Sequence, residues 1–405
     1  MSELTLRRIG LLRGRELEFQ DEATVTIRDG IIESIGTGQA ATGRTLEGEG
    51  LLALPPLVNA HVHLGDAAFK ELGLGLSLDE LVKPPQGLKH RLLSSAPLHE
   101  LLGAMREALL CSLSYGVGAL ADFREGGLEG LQLLEEASRG LPLRVVRLGR
   151  PRIAFSEQEV RLNSRGLEAP QREEVEELLR RAEGLGLSGV NEYSDRALKE
   201  LSSYVMARGA LLALHAAEGR MTREASRALT GRDELERALE LRPRFIVHGA
   251  ALAPEEARLL AEGGVGLVLC PRSNASFGLG LPPLQELLEA GVKLGLGTDN
   301  VMVNEPDLFR EMEFLSKAYR LQRASPRGPE PRALLKMATL GGAELLGLPS
   351  EGLEEGAPAN LLLLAKRPGL EPLKQPHASI AHRAGPSNVW ALMLEGRWAL
   401  APVRA

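Results

Sequence analysis

The stretch "LPPLVNAHVHLGD", residues 54–66, closes an apolar run with Asn59 and then sets His61 and His63 one residue apart. In a strand, residues i and i+2 point to the same side. Two imidazoles aimed together at the end of a buried strand make a bidentate grip on a metal ion. Taken alone, the pair also fits two histidines that fell together in a loop.

Working outward, apolar runs of similar length recur. "LLALPPLVNA", "GVGALADF", "LRVVRLG", "GLGLSGV", "ALLALHA", "RFIVHGA", "GVGLVLC" and "VKLGLGTD" follow in order. Helical stretches such as "LHELLGAMREALLCSLSYG" and "QREEVEELLRRAEGLG" separate them, and "LPPLQELLEAG" stops at Gly291. Eight apolar strands alternating with helices predict an α/β chain with a (β/α)8 TIM-like barrel. A doubly wound sheet is the rival, but no Gly-rich phosphate fingerprint follows the first run. Before the barrel, residues 4–36 read as a β meander with a hairpin signal at "RDG". After residue 351 the β pattern returns in "APANLLLLAK" and "NVWALMLEGRWAL". Residues 1–53 and 351–405 are therefore expected to form one composite β-sandwich domain, and 54–350 the barrel. The segment 65–97, with "KPPQG", reads as the longest irregular connection, a lid or substrate wall.

The 405 residues are 44% hydrophobic and 25% charged, as in an ordinary globular protein. A net charge of −6 lends no support to nucleic-acid or anionic-membrane binding. Two cysteines make no disulfide framework, and the N-terminus lacks a signal-peptide apolar core, so a cytoplasmic protein is expected. Only 9 of the 48 basic residues are Lys, which fits a GC-rich genome and a heat-adapted chain equally well.

Active sites of such barrels lie at the C-terminal ends of the strands. Of eight histidines, His61 and His63 close run one, His215 closes run five and His248 closes run six. Asp299 ends run eight, where a carboxylate needs a partner. Together the five predict a metal site. Glu218 follows His215 at i+3, positioned to lean over the metal or, more plainly, to favour a helix N-terminus.

"HVH", "HAAE", "VHGA", "CPRSN" and "GLGTDN", in this order, resemble the amidohydrolase superfamily, and within it the mononuclear cytosine deaminase and chlorohydrolase-like branch. The resemblance spans nearly the whole chain; Asn360 in "PANLLLL" departs from the usual Ala-Asp-Leu. It implies that His61, His63, His215 and Asp299 hold one divalent ion, zinc or iron. It implies that His248, with Asp299, orients or deprotonates the metal-bound water, and that Glu218 carries a proton to the substrate's ring nitrogen. The expected reaction is hydrolytic deamination of an aminated nitrogen heterocycle, a nucleobase or nucleoside-like molecule. Metal-bound hydroxide would attack the ring carbon and ammonia would leave. Chlorohydrolase-like or cyclic-amide (imidazolone-type) hydrolysis is the alternative. A catalytically dead barrel is disfavoured by the presence of both Glu218 and His248. Binuclear relatives use a strand-four Lys or Glu; run four has no Lys, and Glu192 lies beyond its end, so one metal is expected.

The partner expected is a small molecule, with homo-oligomerisation left open. Arg147, Ser188 and Asn191 stand at neighbouring strand ends as candidate substrate contacts. Ser188 occupies the region where deaminases of adenosine thioethers often carry a base-contacting His, which argues against such substrates. In "KPPQGLKHR", Lys83, Lys89, His90 and Arg91 form either a solvated basic face or, through Lys89 above all, a contact to an acidic substrate group.

Overall fold

Alternating apolar residues at the chain's start form strands because successive side chains reach opposite faces. The computed structural model describes residues 3–38, 43–83 and 86–402. Its first strands are β1 (Glu3–Arg13), β2 (Glu18–Arg28), β3 (Ile31–Gly36), β4 (Arg44–Glu47) and β5 (Leu51–Leu54). β1, β2 and β3 make the expected antiparallel meander. Its "RDG" turn sets Asp29 and Gly30 at φ of 51° and 85°.

The barrel strands follow as β6 (Leu57–His63), β7 (Val117–Arg124), β8 (Arg144–Gly149), β9 (Gly184–Leu187), β10 (Leu211–Ala216), β11 (Phe245–His248), β12 (Gly266–Leu269), β13 (Leu294–Leu296) and β14 (Asp299–Asn300). They pair in parallel in the order β13-β12-β11-β10-β9-β8-β7-β6-β14. β13 and β14 are two pieces of the eighth apolar run. One piece pairs with β12 and the other with β6, so the sheet returns to itself as a barrel. Asn59 and Thr298 stitch this seam. Asn59 Nδ2 donates to Thr298 Oγ1 at 2.7 Å, and Thr298 N donates to Asn59 Oδ1 at 3.1 Å. Gly297 is required there, because a Cβ would stand 2.7 Å from His61 Cβ.

The first apolar run, expected as one strand, is divided. Pro55 and Pro56 lack the N–H that a central ladder needs. Leu51–Leu54 therefore pair in the terminal sheet, and the barrel strand begins at Leu57. The chain's end supplies β15 (Leu361–Ala365), β16 (Val389–Leu394) and β17 (Arg397–Leu400). β15 pairs with β5, and β5 with β1, which unites both ends of the chain in one eight-stranded sheet. The unbroken "LLLL" of β15 is explained by burial on both faces. Leu361 and Leu363 pack into the sheet's own core, while Leu362 and Leu364 join the core shared with the barrel helices.

The connection after β6 is not irregular. It holds a 3-10 turn at Leu64–Phe69 and helices Leu78–Val82 and Leu88–Ser95, the first helix capped reciprocally by Ser77 and Glu80. Phe69, Leu81, Leu101 and Met302 give it an apolar cluster of its own. Helices of five and eight residues leave too few turns for a periodic pattern to stand out. Pro84 and Pro85 of "KPPQG" lie outside the described residues.

Candidate metal centre

The site is built at the C-terminal rim, and a backbone irregularity aims its first two ligands. In β6, Val58 and Ala60 point into the barrel core with Phe123 and Val146. Strict alternation would then turn His61 and His63 outward. The register between β6 and β7 shifts between Asn59 and Val62, however, and Val62 faces the outer core. This bulge swings both histidines inward, a common device beside active sites. The backbone is again unusual at two other strand ends. His248 and Asp299 hold left-handed φ of 75° and 58°, which non-glycine residues adopt only where surrounding structure compels it.

His61, His63, His215 and Asp299 are all buried, and one ligand-type atom from each lies within 4.8 Å of the others. His61 Nε2 is 3.2 Å from Asp299 Oδ1, and His63 Nε2 is 3.5 Å from the same oxygen. His63 Nδ1 donates to Phe123 O at 3.2 Å, and His215 Nδ1 donates to Leu187 O at 3.0 Å. Those bonds place the proton on Nδ1 in both rings, leaving both Nε2 atoms bare. The two Nε2 atoms nevertheless face each other at 3.4 Å. Two lone pairs at that distance call for a cation between them. Burial lowers the pKa of His61 to about 3 and that of His215 well below its ordinary value, so both imidazoles are neutral donors. Burial works to raise the Asp299 carboxyl, but the His61 hydrogen bond and the imidazoles around it hold it well below the usual range. Three imidazoles and one carboxylate fit a divalent transition metal such as zinc.

Glu218 and His248 stand beside this cluster. Glu218 Oε1 lies 3.5 Å from His248 Nε2, and burial raises the Glu218 carboxyl above its ordinary value. His248 Nδ1 is 2.9 Å from Asn274 Oδ1 and donates to it, so Nε2 is the atom turned towards Glu218. Ser273 Oγ donates a short hydrogen bond to Asp299 Oδ2. Both partners come from "CPRSN", whose motif was recognisable but whose residues carried no assigned role. Glu311, wholly buried, anchors that turn by accepting Arg272 N at 3.1 Å.

Of the candidate substrate contacts, Arg147, Asn191 and Lys89 are each engaged by other protein groups. Arg147 sits between the inward Val146 and Leu148, so it points outward. There it donates to Glu183 through Nε and Nη2, both at 3.0 Å, and pairs with Glu135. The one-residue alternation of β8 accounts for the difference. Asn191 is committed on both sides of its amide, donating to Thr222 O at 2.8 Å and accepting from Arg237 Nη1 at 3.1 Å. Lys89 is not part of a solvated basic face. Its side chain is 3% exposed, held between Asp66 and Glu125. Its neighbours divide: Lys83 is exposed and pairs with Asp79, while His90 donates from Nε2 to Val82 O. Ser188, at the end of β9, donates to Glu192 and remains at the rim. Glu192 is not part of the metal cluster.

Glu125 and Asp66 were missed in the sequence. For Glu125 the available signal was "ADFRE", where Asp122, Arg124 and Glu125 gather at the end of an otherwise apolar run.

Residues 52–399 match the model of the Amidohydrolase family. A protein from Methanothermobacter thermautotrophicus that bears an aminohydrolase name is 36% identical over 397 residues, covering 98% of this chain and 99% of its own. A 5-methylthioadenosine/S-adenosylhomocysteine deaminase from Natronomonas pharaonis is 28% identical over 401 residues, covering 89% of this chain and 84% of its own. Among solved structures, an adenosine deaminase from Xanthomonas campestris with bound zinc superposes with a TM-score of 0.85. That match is at 19% identity and covers 99% of this chain and 93% of the other.

Proposed function

The chain belongs to the amidohydrolase family, and from that premise we propose that it is a metal-dependent hydrolase that deaminates an aminated nitrogen heterocycle, nucleobase or nucleoside-like. The carrying observation is the Glu218 carboxyl, raised by burial and set beside His248 at the edge of the four-ligand cluster. We assign His61, His63, His215 and Asp299 as ligands of one divalent ion, zinc by the chemistry of the donors and by the zinc-bound adenosine deaminase of the same fold. When bound there, the ion supplies Lewis acidity that brings the pKa of water towards neutrality.

The chain's residues do the rest. His248 turns Nε2 towards the site, because Nδ1 is held by Asn274. It orients the attacking water and accepts its proton, with Asp299 as the second acceptor. A C–O bond forms at the amidine-like carbon, and negative charge gathers on the adjacent ring nitrogen. Glu218, protonated more readily than an ordinary carboxyl, delivers a proton to that nitrogen. The C–N bond then breaks, and the amine leaves as ammonia after taking up a second proton.

Ser188, paired with Glu192, is the rim contact retained for the heterocycle. Among the described residues no helix is long and apolar enough to cross a membrane. Both cysteines are free, which supports a reducing, cytoplasmic setting for a small-molecule enzyme.

The test is a release screen of zinc-loaded protein against pyrimidines, purines, nucleosides (methylthioadenosine included), pterins and triazines. Ammonia release is expected. Chloride from a chlorinated triazine, or a new carboxylate from a cyclic amide, without ammonia from any amine, would overturn the deaminase assignment while leaving the metal hydrolase in place.

A further inference from the structure

Behind His63 lies a buried ionic cluster that the reaction does not use. Asp66, Asp122 and Glu125 face Lys89, Arg124 and Arg150, three acidic side chains against three basic ones. The most open of the six, Arg150, has a side chain only 14% exposed. Taking ions out of water costs several kcal/mol each, and apolar replacements are often as stable or more so. A cluster of this kind is therefore poor scaffolding, and its contact with the metal centre is informative.

That contact is Glu125. Its Oε1 lies 2.9 Å from His63 Nδ1, 2.8 Å from Lys89 Nζ and 3.1 Å from Arg150 Nη2. Arg124 Nη2 donates to Oε2 at 2.6 Å. The contacts of Oε1 lie off the hydrogen-bond line, so it acts on His63 through charge, while Phe123 O takes the directed bond. The other two proposed imidazole ligands lack this arrangement: His215 Nδ1 meets a backbone carbonyl, and His61 Nδ1 has no partner. Lys89 belongs to helix Leu88–Ser95, and its Nζ also meets Asp66 at 3.1 Å and Asn300 Oδ1 at 3.4 Å.

We infer that Glu125 is a positioning residue of the metal centre. It sets and enriches the His63 ring as a ligand and, through Lys89, fastens the helix over the rim to that same ligand. A carboxylate behind Nδ1 makes Nε2 the stronger donor. Because one carboxylate serves both partners, metal binding and docking of the helix are coupled, and the coupling is reciprocal. The inference rests on the metal reading of the four-ligand cluster.

The experiment is competition for zinc against a chromophoric chelator, with wild type, Glu125→Gln, Lys89→Met and the double variant. Zinc bound at one per chain in wild type checks the metal reading itself. Glu125→Gln is expected to weaken zinc about 10–100-fold, the usual effect of losing an outer partner of a ligating His. The single variant leaves the cluster with excess positive charge and is at risk of misfolding. Glu125→Gln/Lys89→Met restores the balance, and its zinc affinity is expected to stay as weak. Lys89→Met alone should hold zinc within a few-fold of wild type. Amide exchange in residues 88–95, slowed by zinc in wild type, should there lose its response. If the double variant regains wild-type affinity, Glu125 is only the counter-ion of Lys89 and the inference fails. If wild type binds no zinc, the metal reading and this inference fall together.

Discussion

Glu218→Gln separates the proposed chemistry from the metal site. The substitution keeps shape and a hydrogen bond but removes the transferable proton. Positioned general acids contribute about 10²–10⁴-fold, which is roughly 2.7–5.4 kcal/mol of barrier at 1.36 kcal/mol per decade. Three features of the structure sharpen the expectation. Glu218 is not in the four-residue cluster, so zinc content should stay near one per chain. Its close ionic neighbour is His248, at 3.5 Å, too long for a structural hydrogen bond. Burial disfavours its charged form, so a neutral amide relieves a cost and the thermal midpoint should hold or rise. The assay is steady-state ammonia release on the substrate found in the screen, with elemental analysis and thermal melts on the same preparation. The expected pattern is a large fall in kcat, similar apparent affinity, unchanged zinc and no loss of stability. Loss of zinc would make Glu218 a ligand and refute the mechanism. Normal turnover would leave it a helix-start residue.

His61→Ala should bind zinc far more weakly, because one of four buried donors and its contact with Asp299 are lost, whereas wild type should hold close to one ion per chain; two tightly held ions would refute the mononuclear assignment. Asn274→Leu removes the acceptor that fixes the His248 ring. Leaving the buried His248 Nδ1 without its partner costs about 1–3 kcal/mol; if that cost falls on the reacting geometry, kcat should drop roughly five- to hundredfold with zinc retained, and unchanged kcat would discard the tautomer argument. Burial pushes the Glu311 carboxyl up to about 8, against the pull of Arg272. A raised carboxyl contributes stability below its unfolded pKa that is lost as pH rises through the folded value. The wild-type melting midpoint should therefore fall from about pH 5 to 8 more steeply than that of Glu311→Gln at matched metal content; parallel profiles would count against it.

The linear chain was enough to announce the barrel. Eight apolar runs alternating with helices leave few ways to bury both faces of a parallel sheet, and the rhythm survives any local uncertainty. It also placed His61, His63, His215, His248 and Asp299 at strand ends, because a polar residue closing an apolar run must meet a partner. The tertiary structure decided where those side chains point and what stands behind them. Val58 and Ala60 already face inward, so only the bulge before Val62 brings His61 and His63 to the same side. Arg147 and Lys89 looked alike as cations near the rim. One falls on the outward face of β8, and the other is sealed between Asp66 and Glu125. Strand register sets direction, and burial of a charge depends on partners carried in from other segments. Glu125 became visible only when helix Leu88–Ser95 brought Lys89 beside it and β6 brought His63, since neither spacing nor composition records which distant charges will meet in a place without water.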